Sequence, residues 1–333
     1  MIRHILTALI CSYQSVHSNQ NPLREQRIVG GENARDLNLT APWYVFLSMK
    51  LATTTGQSTC GGTIISDKMI LSAAHCFYNR RNEPEALIGL YFNRFDHPQN
   101  PFETGVDFVT RISNVLLRDD YDPYTHGNDI ALVRLHGDDR FSHTTYVASL
   151  PGGVGSTSFI ANLPSSNFDI SSNSIYRAYG QGVTAEDGWF PTELQTVALP
   201  YVGFESCNSE YTSAEAPVDY TTMFCLGDLA NGGIDSCQGD SGGPLMGHED
   251  YGIVGANTVY GVVSWGIGCA RPGFPGIYAK VSHYVSWIET QENEFEPDND
   301  GCYELICVSD YDCECGGFRA VSAILAVVLW FLS

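Results

Sequence analysis

The chain reads as an all-β protein, a sandwich or barrel of short strands ended by one helix. Stretches 43–49, 62–66 and 69–73 are apolar or β-branched runs separated by turn residues, and this pattern recurs as far as Val263. Short strands with frequent turns are the mark of a β-sandwich or barrel. Helical spacing is clear in one place, where Val281, Tyr284, Val285 and Ile288 fall at i, i+3, i+4 and i+7. That stripe should lay one face on the β structure and be core rather than a cofactor site. With 333 residues, 44% hydrophobic and 17% charged, the chain has a globular composition and is long enough for one large domain or two small ones.

From the N-terminus, Arg3 and His4 precede an apolar run from Ile5 to Ile10, and Val16-His17-Ser18 resembles a small-residue cleavage site. Residues 1–18 therefore read as a signal peptide. Cys11 would leave with it, so ten of the eleven cysteines remain, an even number and one suited to a secreted protein. Residues 19–27 are polar, contain Pro22 and end at Arg27, directly before Ile28-Val29-Gly30-Gly31. Asn38-Leu39-Thr40 is a glycosylation sequon. Seventeen Lys and Arg stand against 38 Asp and Glu, a net charge of −21, which argues against nucleic acid and anionic membrane surfaces as partners. The charge suits either a basic partner or the acidic surface common on secreted proteins.

The chain is organised around Asp235-Ser236-Cys237-Gln238-Gly239-Asp240-Ser241-Gly242-Gly243-Pro244. A serine framed by glycines packs nothing itself, so the run reads as a tight loop presenting Ser241. The same loop can aim the amides of Gly239 and Ser241 at one point, as an oxyanion hole requires. A serine hydroxyl is a weak nucleophile near neutral pH and needs a histidine base with an orienting carboxylate. His75 lies in Leu71-Ser72-Ala73-Ala74-His75-Cys76, and Asp129 lies at the mouth of the apolar run Ile130 to Val133. The chain order is then His, Asp, Ser.

On these motifs the sequence from Ile28 to Gln291 resembles the trypsin-like, chymotrypsin-fold serine peptidases. The resemblance implies two antiparallel β-barrels with the active site between them and a C-terminal helix. It makes His75, Asp129 and Ser241 the catalytic triad, and Gly239 and Ser241 the oxyanion hole. It makes Asp235, six positions before the nucleophile, the floor of the specificity pocket. A carboxylate there selects Arg or Lys, with Ser236 able to help either cation. Ser264-Trp265-Gly266 matches the segment that pairs with substrate backbone, and Gly266 and Gly276 leave the pocket entrance open. Cleavage after Arg27 would free an amine on Ile28 to pair with Asp240, completing the oxyanion hole. Disulfides are implied for Cys60 with Cys76, Cys207 with Cys225, and Cys237 with Cys269, the first worth about 3 kcal/mol for a loop of its size. Protein or peptide substrates, protein protease inhibitors and an activating protease are the implied partners; no cofactor is needed, and no metal-ligand set is identified.

The sequence departs from that pattern in three places. A further family bridge would need cysteines near Tyr176 and Gly247, and both are missing. The Ser-, Asn- and Gly-rich stretch from Leu150 to Tyr176 is longer than the family's linker. Gly180-Gln181-Gly182 stands where the family places a tryptophan between the glycines.

Residues 28–291 thus form the expected peptidase domain. Residues 292–317 are an acidic linker and a small cluster of Cys302, Cys307, Cys313 and Cys315, read as a disulfide knot because the spacing is not a usual zinc pattern. Residues 318–333 form an apolar tail, shorter than a membrane helix needs but within the range of a removable lipid-anchor signal. The protein is expected outside the cell, secreted or attached to the outer surface through this C-terminus. The competing reading is a peptidase-fold binding module without activity; the intact triad is what separates the two.

Overall fold

A computed structural model describes residues 28–34, 41, 43–50, 57–78, 87–92, 112–135, 160–170, 175–191, 193–247, 257–293, 305–309 and 312–315. The expected signal and activation segments through Arg27, the sequon, most of the 150–176 stretch and the apolar tail lie outside these residues.

After a two-residue strand β1 (Glu32–Asn33), six strands form the first unit: β2 (Tyr44–Lys50), β3 (Gln57–Ile64), β4 (Met69–Ser72), β5 (Leu87–Phe92), β6 (Ile112–Leu117) and β7 (Ala131–Leu135). They pair antiparallel in the order β5-β2-β3-β4-β7-β6. The second unit contains β8 (Ile175–Gly180), β9 (Gln195–Val202), β10 (Met223–Leu226), β11 (Pro244–Gly247), β12 (Val259–Trp265) and β13 (Gly276–Lys280). Their order is β9-β10-β13-β12-β11-β8, and a further β9–β8 pairing closes the ring into a six-stranded barrel, with β1 added on β9. Strands β4, β10 and β11 are buried at every position. Such strands cannot alternate apolar with polar residues, which is why they read as continuous apolar runs.

Two α-helices complete the described catalytic region. The one that the spacing predicts, α2 (Val281–Asn293), buries Val281, Tyr284, Val285 and Ile288. Its stripe joins a core shared by both units, where Trp43 meets Tyr179 edge-on at 4.9 Å. The other helix, α1 (Phe204–Ser213), has no sequence signature. Gly203 offers no capping side chain, and only Cys207 and Tyr211 are buried. Tertiary ties hold it instead: the Cys207–Cys225 disulfide and a 2.7 Å hydrogen bond donated by the Tyr211 hydroxyl to the Pro275 carbonyl.

All three implied disulfides are present: Cys60–Cys76, Cys207–Cys225 and Cys237–Cys269. Where a fourth would sit, strand pairing sets Tyr176 directly opposite Gly247. Tyr176 is fully buried and packs against Tyr260, which in turn meets Phe168, so aromatic contacts occupy the place of the cross-link. Beyond α2, β14 (Leu305–Ser309) and β15 (Asp312–Cys315) form an antiparallel hairpin with Cys307 opposite Cys313. Among the described residues no helix is long and apolar enough to cross a membrane.

Candidate active site

His75 sits in a single 3-10 turn, Ala74–Cys76, that follows the buried strand β4. Asp129 precedes β7 and is almost fully buried. The pairing of β4 with β7 sets Ser72 opposite Ala131, which draws the two side chains together. Asp129 accepts two hydrogen bonds from His75, one from the backbone amide at 2.8 Å and one from Nδ1 at 2.7 Å. A third comes from the Ser264 hydroxyl on β12. Burial disfavours the imidazolium, but the Asp129 charge and hydrogen bond outweigh it and hold the His75 pKa above its ordinary value. Burial likewise opposes the Asp129 carboxylate, and the His75 charge with these hydrogen bonds keeps its pKa low. Ser264 therefore orients Asp129, a contact that sequence spacing does not reveal.

The Ser241 loop is pinned between the two units. The Ser241 carbonyl accepts from Gly61 of β3 at 2.7 Å, and the Gly242 amide donates to Val263 of β12 at 2.8 Å. Cys76 joins this loop to the histidine, its Sγ lying 3.9 Å from both His75 Nε2 and the Ser241 carbonyl. Gly239 has φ +98, and a Cβ on it would sit 2.7 Å from the Phe190 ring, so the turn requires glycine there. Among the described residues, the Gly239 and Ser241 amides donate to no acceptor. Two free donors beside a serine are what a developing oxyanion needs.

Ser241 opens onto a cavity of about 190 Å³ lined in part by Asp235, Ser236, Trp265, Gly266 and Gly276. Asp235 is 3% exposed; its Oδ2 accepts from the Ala270 amide at 3.0 Å, and its Oδ1 has no hydrogen-bond partner. Gly276 lies against that carboxylate, where a Cβ would come within 2.3 Å of Oδ1, whereas a Cβ on Gly266 would make only ordinary van der Waals contacts, the nearest with the Tyr211 hydroxyl at 3.6 Å. Ser236 is hydrogen-bonded to the Tyr278 hydroxyl at 3.1 Å. Outside the cavity, Arg271 lies across Gly268 and forms a two-pronged ion pair with Glu186, tying the pocket wall to the loop after Gly182.

His126 is a site residue that the sequence reading missed. Its ring lies edge-on to His75 and stacks on Trp265, each with centroids 5.8 Å apart. The loop carrying it is folded by Asp122, which accepts from the Tyr124 amide and the Thr125 hydroxyl. Its only sequence signal is a histidine three positions before Asp129.

Asp240 is buried and accepts from the Gly182 amide at 2.7 Å and the Cys237 amide at 2.9 Å. A Cβ on Gly180 or Gly182 would collide with its carboxylate, so the pair of glycines is kept although the residue between them is Gln181. Among the described residues no cation pairs with Asp240. Burial pushes both Asp235 and Asp240 up to about 7 from 3.8. Between these values the folded chain binds more protons than the unfolded one, so its stability should fall as pH rises from 4 to 7. His75, whose pKa is raised as well, adds a further loss only as pH rises above its ordinary 6.5. In urea unfolding of the uncut chain, Asp240→Asn should flatten this decline. A native midpoint that does not fall across that window would contradict the burial cost.

Strands β3 and β12 thus hold a serine next to a paired histidine and carboxylate, the architecture of chymotrypsin-fold serine endopeptidases. A family model described as Trypsin matches residues 28–288. Trypsin-1 of Astacus astacus is 34% identical over 230 residues, 69% of this chain and 86% of that protein. Trypsin I-P1 of Gallus gallus is 32% identical and Cationic trypsin-3 of Rattus norvegicus 33% identical, each over 266 residues, 80% of this chain and 89% of theirs. The chain belongs to the trypsin family and is a serine endopeptidase. The three disulfides among the described residues suit an oxidising compartment.

Proposed function

We propose that the chain is a precursor which, once cut after Arg27, hydrolyses peptide bonds after Arg or Lys outside the cell. The observation that carries the specificity is Asp235, a buried carboxylate in the cavity with one oxygen left without a partner. Burying such a group without a counter-charge is costly, and a guanidinium or ammonium group supplies both the charge and the missing hydrogen bond. An apolar side chain in the same cavity supplies neither.

In this reading His75 takes the proton from the Ser241 hydroxyl as it attacks the substrate carbonyl. Asp129, fixed by Ser264, keeps the His75 proton on Nδ1 and favours the imidazolium that forms. The free amides of Gly239 and Ser241 hold the oxyanion. His75 then protonates the leaving amine, and water repeats the sequence on the acyl-enzyme. Before the cut, Asp240 has no cation partner among the described residues; the new Ile28 amine provides one. The 318–333 tail is assigned to attachment at the outer cell surface, and protein protease inhibitors are expected to occupy the same cavity as substrates.

A cleavage profile on a peptide library tests the specificity, with kcat/KM highest for Arg and Lys. Asp235→Ser should cut the preference for basic over apolar residues roughly 10²–10⁴-fold, as removing one partner of a buried ion pair costs about 3–5 kcal/mol. A variant still strongly selective for Arg and Lys would assign the pocket charge to another residue.

A further inference from the structure

The geometry points to a regulatory site for a divalent transition-metal cation, zinc being the best fit, formed by His75 and His126 and silencing the enzyme when filled. A ring nitrogen of each histidine and a carboxylate oxygen of Asp129 all lie within 4.8 Å of one another. Two nitrogens bound to one zinc at about 2.0–2.1 Å stand roughly 3.4 Å apart, a separation that falls inside the 4.8 Å spanned by this group. His126 has the spare capacity, because its Nδ1 is buried without a hydrogen-bond partner. His75 is already arranged as a metal ligand: its Nδ1 is engaged by Asp129, which leaves Nε2 as the nitrogen with a lone pair to give. A carboxylate orienting a histidine in this way is the usual support of a zinc-bound imidazole. The stacking of His126 on Trp265 holds its ring beside His75. The neighbouring group of Cys60, His75 and Cys76 is no rival, since both sulfurs are in a disulfide.

The inhibitory consequence rests on the triad reading: a lone pair given to zinc cannot accept the Ser241 proton. The cation is a reversible inhibitor here, not a cofactor. His126→Asn removes the second ligand, and asparagine tolerates the positive φ of 55 at this position. Zinc chloride alone is titrated into chelator-free enzyme, and each variant is referred to its own metal-free rate. Native enzyme should lose activity and regain it with excess chelator. The zinc concentration that halves the rate should rise about tenfold or more in His126→Asn. Calorimetry with zinc chloride should show a binding event in native protein that His126→Asn lacks. Equal inhibition of both proteins, or none of the native enzyme, overturns the proposal. Calorimetric binding that depends on His126, in a protein with no metal-free hydrolysis, would uphold the site and overturn the triad reading instead.

Discussion

Ser241→Ala should lower kcat for amide hydrolysis by about 10⁶-fold, the scale on which loss of a triad nucleophile acts. The change removes one hydroxyl and nothing that shapes the loop. The hydrogen bonds pinning it run through the Ser241 carbonyl and the Gly242 amide, and Cys237–Cys269 braces it from behind. The variant should therefore fold, bind substrate and keep its thermal midpoint. The Gly239 and Ser241 amides also survive, so a residual rate above uncatalysed hydrolysis should remain. Turnover is read on a peptide ending in Arg, with unfolding followed in parallel. Wild-type turnover in the variant would move the nucleophile elsewhere.

Arg27→Gln should leave the precursor uncut and its activity near background. Ile28 is fully buried with φ +43, a region that β-branched residues avoid. Holding it there costs on the order of 1–3 kcal/mol. Cutting the bond abolishes that torsion, because an N-terminal residue has no φ, and at the same step creates a cation that can pair with Asp240. Both changes favour the cleaved form. Residues 28–31 are already docked, with the Val29 carbonyl accepting from the Asp235 amide at 3.1 Å. Edman sequencing of active native enzyme should begin at Ile28. A different N-terminus, or full activity in the Arg27→Gln chain, would overturn this account of activation.

The parts of the site legible in the sequence are those written in short, local strings. Ser241 is framed by glycines, His75 by small residues and a cysteine, and α2 by an apolar stripe; each needs only its neighbours to be recognised. What was not legible depends on contacts between distant segments. The Ser264 hydroxyl meets Asp129 across 135 positions of chain. His126 gains its meaning only when the turn folded by Asp122 lays it between His75 and Trp265. Helix α1 is fixed by a disulfide and one tyrosine rather than by propensity. The missing fourth bridge was legible as two absent cysteines, but not the fully buried tyrosine that fills its place.

The ion pair between Arg271 and Glu186 bears on how long such an enzyme lasts. Under the proposed specificity for Arg and Lys, other copies of the chain are themselves substrates, and Arg271 stands half exposed beside the pocket. Its guanidinium is committed to Glu186, so threading it into a second molecule's cavity must first break two hydrogen bonds. The next residue is Pro272, whose ring restricts the backbone of Arg271 and leaves the scissile nitrogen without a hydrogen. With only 17 Lys and Arg in the whole chain, self-digestion has few points of entry, and the one on the rim of the pocket is closed twice over.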